Sequence, residues 1–438
     1  MTRPTKHRFN HQQIWQIAFP MMISNISTPL LGLVDTAVMG HLNSASYLGA
    51  VALGGVIFTF IYWGFGFLRM GATGVAAQAY GNNDYDEIRA IIGRSFFLAT
   101  TISILVLLLQ NPIKLFGFYL IESSEIVEKQ ASRYVGIRIW STPATLGSYI
   151  LIGVFLGLQN AKTPLLFIIL TNFCNIALDI VFVVILKMDI NGIALATVIF
   201  EYLGFIVGLI LLHSKLKKHP GRWDLNLIKN TTNLKKMLLT NNNIFIRTLC
   251  LIFTFAFFTA QSAKFGELIL AANSILLQFQ VFIAYALDGF AHAAESLVGK
   301  AIGSRDNSLL RKTIKTTMLW SVSVAVIFSL AYLFFGQELI NLLTDIEPVR
   351  REAYRYLPWV VAPPPIAVWC YLLDGIFIGA TLSKEMRDMM LFSTMFFFFP
   401  VWYMTQPLEN NGLWLTVIIF LLARGISMGW ICKRRLCL

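Results

Sequence analysis

The chain has 438 residues, 56% of them hydrophobic and only 13% charged, and its mean hydropathy is +0.66. This balance excludes a soluble globular domain and marks a membrane protein. The formal charge of +12 does not require nucleic acid, because lysine and arginine collect on the cytoplasmic loops of membrane proteins; no nucleic-acid partner is expected.

A helix crossing the hydrocarbon layer needs roughly 20 mostly apolar residues, and twelve such runs follow one another along the chain. Span 1 covers 15–39, and its stretch LLGLVDTAVMG places Asp35 among residues that otherwise belong in oil. Asn25, Thr28, Gly32, Asp35 and Thr36 recur at three- and four-residue steps, which gathers them on one helical face. Pro20 and Pro29 lie in the same span; a proline has no N–H to donate and crowds the preceding turn, so both are hinge candidates. The polar, basic first 13 residues lead straight into this run without a cleavage site, so span 1 itself is expected to direct insertion.

Spans 2 to 4 cover 47–76, which holds Arg69, then 90–110 and 134–158. Span 5, 164–187, contains TNFCNIALD, whose Asn172, Asn175 and Asp179 share a face. Span 6, 192–212, carries Glu201, a partner for Arg69 or Arg424. The basic stretch SKLKKHPGRWDLNLIKNTTNLKK follows and reads as a solvated tether near anionic headgroups.

Spans 7 to 12 cover 244–263, 268–299, 316–342, 356–381, 388–405 and 412–431. Asp288, His292 and Glu295 in span 8 stand four and three residues apart, on one face. Together with Asp374 in span 10 they are secondary candidates for a proton or substrate relay, or for a polar network between helices. No second ligand motif accompanies them, so no metal site is expected. Arg69 and Arg424 read as countercharges or as snorkelling side chains. The five cysteines form no CxxC pair and none lies in an outer loop, so no disulfide framework is expected.

The two halves repeat at an offset of 222. Leu48 meets Leu270, Gly81 meets Gly303, Asp84 meets Asp306, Arg89 meets Arg311, Arg133 meets Arg355, Pro143 meets Pro365, Gly157 meets Gly379 and Lys162 meets Lys384. Six helices per half preserve orientation, so the repeats are parallel. The expected architecture is an all-α membrane protein of twelve transmembrane helices in two six-helix lobes: an N-lobe over 1–213, a cytoplasmic linker over 214–240 and a C-lobe over 241–438. With both termini inside, the cytoplasmic segments carry 23 Lys and Arg against nine on the other side, the bias of a protein with cytoplasmic termini.

An ionised group in mid-membrane is costly and needs a partner or a water-filled cavity. Asp35 and Asp179 are the deepest acids of the first half, and burial beside a second carboxylate favours protonation near physiological pH. The alternative is a static post holding helices together.

The stretches PMMISNISTPLLGLVDTAVMGHL, GLQNAKTP, NIALDIVFV, YALDGFAHAAESLVGKAIG and WCYLLDGIFIGAT resemble the multidrug and toxic compound extrusion (MATE) transporters, in the branch named after DNA-damage-inducible protein F. The resemblance implies a proton-coupled exporter of amphipathic, often cationic compounds in a bacterial inner membrane, working by alternating access. It implies proton uptake at Asp35, with Asn175, Asp179 and Thr197 as partners and a bend of helix 1 on protonation. The sodium-coupled branch carries an acid on its seventh helix; span 7 here has none, so H+ is favoured over Na+ as coupling ion and no cofactor is expected. A lipid or lipid-linked precursor flippase is the competing reading. Absence of HExxH, GxSxG and phosphate-cradling glycine loops speaks against an enzyme. A monomer is expected.

Overall fold

The computed structural model describes residues 11–40, 45–120 and 124–436; within them, the side chains of residues 28–40, 45, 46, 48, 120 and 184 lie outside the description. Among the described residues every regular element is helical: α1 (His11–Gly40), α2 (Ala45–Gly64), α3 (Phe67–Gly81), α4 (Tyr85–Leu108), α5 (Gln110–Leu120), α6 (Glu125–Arg138), α7 (Thr142–Gly157), α8 (Lys162–Asp179), α9 (Asp189–Lys217) and α10 (Leu225–Ile228). The second half contains α11 (Thr231–Lys264), α12 (Glu267–Gly303), α13 (Asn307–Leu343), α14 (Glu347–Tyr356), α15 (Pro358–Val361), α16 (Pro363–Gly379), α17 (Ser383–Ser393), α18 (Phe399–Thr405) and α19 (Glu409–Arg435). Ten described stretches are long and apolar enough to cross a membrane, and the last, Ser383–Arg435, folds as two crossings, α17 to α18 and then α19. With the 30-residue α1, these make twelve spans.

The repeat is written into the backbone. Among the described residues, six of the seven non-glycine residues with positive φ occur in pairs 222 apart: Asn83 and Arg305 (both φ 57°), Gln159 and Thr381 (59° and 55°), Lys187 and Glu409 (53° and 50°); the seventh, Asp189 (51°), has no such counterpart. The first pair ends α3 and α12, after which Asp84 accepts from Glu87 N–H at 3.0 Å and Asp306 from Leu309 N–H at 2.9 Å, capping α4 and α13. These turns account for the glycine and asparagine around Gly81 and Gly303.

Helix crossings repeat likewise. A Cβ on Gly153 would lie 2.5 Å from the Arg69 carbonyl oxygen, and one on Gly375 would lie 2.3 Å from that of Ala291. Only glycine lets α7 meet α3, and α16 meet α12, with backbones in contact. We expect Gly375→Ala to force α16 off α12 and cost about 1–3 kcal/mol. Thermal unfolding in detergent measures the loss, with Gly136→Ala as a control because nothing lies within 4 Å of its added Cβ.

The chain divides into two compact units, Ile23–Leu238 (the N-unit) and Met1–Met22 with Leu239–Leu438 (the C-unit). It passes from one to the other inside α1 and inside α11. Within the C-unit, Ile14 and Ala18 are fully buried, and Trp15 meets Phe290 and Trp320 edge-on at centroid distances of 5.2 Å.

Most of the linker is exposed, as a solvated tether would be, but it is anchored to α4 at several points. Arg89 of α4 donates to the carbonyls of Tyr85, Leu216, His219 and Pro220 at 3.0–3.2 Å, tying off the end of α9. Arg222 N–H donates to Asp86, Arg94 donates to the Leu227 carbonyl at 2.8 Å, and His219 stacks on Tyr85 at 4.8 Å. Buried arginines on the neighbouring helix turn the linker's own carbonyls into anchors.

Burial, then Lys215, then Arg89 hold the His219 imidazole below its ordinary pKa. A base so depressed binds its proton more readily when released, so the anchored form is favoured above pH ~6.5. Its contribution is lost as pH falls through the lowered value. Limited proteolysis between residues 214 and 230 should therefore accelerate on acidification from pH 7.5 to 5.5, and His219→Phe should flatten that dependence.

Candidate functional site

In the N-unit, α8 delivers Asp179 at its last residue, directly before a π-helical turn over Ile180–Ile185. There the Leu186 N–H reaches five residues back to the Val181 carbonyl at 2.9 Å, a local widening that often accompanies functional positions. Asp179 is fully buried, Asn175 is 3% exposed and Thr197 of α9 is 7% exposed. With its amide oriented to satisfy both neighbours, Asn175 donates to Asp179 Oδ2 at 3.1 Å and accepts from the Thr197 N–H at 3.2 Å. The Thr197 hydroxyl donates to the Ile193 carbonyl at 3.0 Å. Three of the four residues expected to act together therefore form one hydrogen-bonded chain between α8 and α9.

Asn172, two turns before Asp179, donates to Ser27 Oγ of α1 at 3.3 Å, and Ser27 donates in turn to the Ser24 carbonyl at 2.8 Å. This joins the polar face of α8 to α1. Pro20 is buried within α1; the side chains of Asp35 and Pro29 lie outside the described residues, though both positions belong to the helix.

Glu201 faces a partner that the sequence did not suggest. Its charge faces Arg138. Arg138 also lies 4.8 Å from the Phe58 ring centroid and donates to Tyr134 Oη. The sequence misled because Arg138 sits near the end of a span, where arginines normally reach for water.

The C-unit buries a second constellation. Asp374 of α16 accepts through one oxygen, Oδ2, from both Arg247 of α11 and Arg424 of α19. Arg424 is 1% exposed, Asp374 6% and Arg247 8%, so Arg424 is a buried countercharge and does not snorkel. Asp288 of α12 is close enough to Arg247 for their charges to interact. His292 Nδ1 stands 3.4 Å from Glu295 Oε1, both buried. Among the described residues no three His, Cys, Asp or Glu side chains converge as a metal site would need. Arg247 was visible in the sequence only as a charge in an apolar run; no spacing tied it to Asp374, 127 residues away.

A duplicated twelve-helix bundle with ionisable side chains buried in both units is the build of a membrane transporter, since intramembrane charge marks solute and ion routes. Comparisons with known proteins give the particular family. The MatE family model matches residues 20–181 and again 244–404, one match per half. DNA damage-inducible protein F of Escherichia coli K12 is 40% identical over 422 residues, covering 96% of this chain and 92% of the relative. Human Multidrug and toxin extrusion protein 1 is 25% identical over 362 residues, 76% of this chain and 60% of the relative. A MATE crystal structure in the bent conformation superposes with a TM-score of 0.90 at 18% identity, covering 98% of this chain and 96% of that one. A MOP-superfamily transporter from Pyrococcus furiosus gives 0.87 at 17% identity, with the same coverage. The chain belongs to the MatE family of multidrug and toxin extrusion transporters.

Proposed function

We propose that this chain is a proton-coupled antiporter that exports amphipathic, often cationic compounds by alternating access. The observation that carries this reading is the fully buried Asp179, held by Asn175 on a helix that is itself joined to α1. Two helices running in the same direction and joined at Ser27 and Asn172 rise 1.5 Å per residue. Position 35, eight residues on, and position 179, seven residues on, then come level. Two carboxyls at one depth cannot both stay ionised cheaply, so one takes up a proton. In this reading Asp35 is the proton carrier, and its protonation bends α1 near Pro29 and displaces substrate.

Substrate class follows from the relatives' names, multidrug resistance and toxin extrusion. The coupling ion follows from charge. The spanning helix α11 holds no acid and contributes Arg247 instead, while Asp374 is occupied by two guanidinium groups. A cation site there would have to displace an arginine. The protein then sits as a monomer in a bacterial inner membrane with both termini in the cytoplasm.

Reconstituted vesicles test the reading. An imposed pH gradient should drive export of a fluorescent amphipathic cation, and a sodium gradient at equal pH should not. Transport driven by sodium alone overturns proton coupling, and movement of labelled lipid headgroups without drug export would favour the flippase.

A further inference from the structure

On an exposed face of the C-unit, α17 and α19 enclose an apolar groove of about 400 Å³. Phe392 forms one wall with Phe397 from the π-helical turn over Thr394–Phe398, their rings meeting edge-on at 5.6 Å. Ile419, Leu422, Ile426 and Trp430 form the other wall. Ser427 is the one polar residue of the lining, and its hydroxyl is spent on the Arg424 carbonyl at 3.1 Å. Ile426 is 70% exposed and Trp430 60%, so the groove opens away from the protein, toward whatever fills the membrane.

The groove has the length of one leaflet. From Ile419 to Trp430 is about 16 Å along the helix, half of a hydrocarbon layer about 30 Å thick. Trp430 closes one end of it, and tryptophan is a residue that collects at the boundary between chains and headgroups. One turn further, the Arg434 guanidinium lies over the Trp430 ring at 5.6 Å, and Lys433 is exposed beside it. Arg435 is paired with Glu385 at 3.1 Å, which leaves Lys433 and Arg434 as the charges facing a headgroup.

We propose that this groove binds one anionic phospholipid, an acyl chain lying between Phe397 and Trp430 and the phosphate resting on Lys433 and Arg434. An apolar trough alone would accept any chain, and the basic pair at its mouth selects negative charge.

Native mass spectrometry of the full chain from detergent, with added phosphatidylglycerol or phosphatidylcholine, tests this. Phosphatidylglycerol should be retained preferentially. Lys433→Gln with Arg434→Gln should weaken that retention roughly thirtyfold, about fivefold per basic side chain, and leave phosphatidylcholine unchanged. Ser427→Phe, which fills the trough without touching charge, should reduce retention of both lipids. Equal retention of the two lipids by the wild type, a preference that survives the double substitution, or retention unaffected by Ser427→Phe would each overturn the proposal.

Discussion

Replacing Asp374 with alanine is expected to destabilise the C-unit by about 3–5 kcal/mol, because it leaves Arg247 and Arg424 buried and charged without their shared acceptor. The three residues come from α11, α16 and α19, so the carboxylate ties three helices together. Removing all three charges together, with Asp374→Leu, Arg247→Met and Arg424→Met, should cost far less than the single substitution, since desolvating a paired ion cluster offsets much of its attraction. Thermal unfolding in detergent distinguishes the two. A single substitution as mild as the triple would mean the arginines find other partners, with Asp288 the nearest at hand.

Asp179→Asn should abolish pH-gradient-driven export while leaving folded protein in normal yield. The amide has nearly the shape of the carboxyl and can still accept from Asn175, so the helix contact persists. What is lost is the negative charge that makes proton uptake at position 35 favourable. Export measured in vesicles should fall to the level of empty ones. Unchanged export would reduce Asp179 to a structural post between α8 and α9.

Much of this was legible in the chain. The offset of 222 emerged from charged, glycine and proline matches, and the backbone obeys it down to paired left-handed residues, because a repeated fold needs the same turns in the same places. Asn175, Asp179 and Thr197 were grouped through the family resemblance, helped by helical spacing on α8, and they do meet. What periodicity could not supply was partnership between distant helices. Helical spacing groups residues on one face but says nothing about the facing helix, so the Asp374 pair of arginines and the Arg138 contact of Glu201 stayed hidden. The anchors of the linker stayed hidden for a related reason: its charges were visible, whereas the carbonyls that Arg89 and Arg94 grip belong to every residue alike.

Direct proton counting puts the proposed antiport to its hardest trial. Purified protein in weakly buffered detergent is mixed with an amphipathic cation while a pH indicator follows release. The wild type should release protons on binding, and Asp35→Asn should bind the same compound and release none. Equal release from both proteins would contradict a proton carried at position 35.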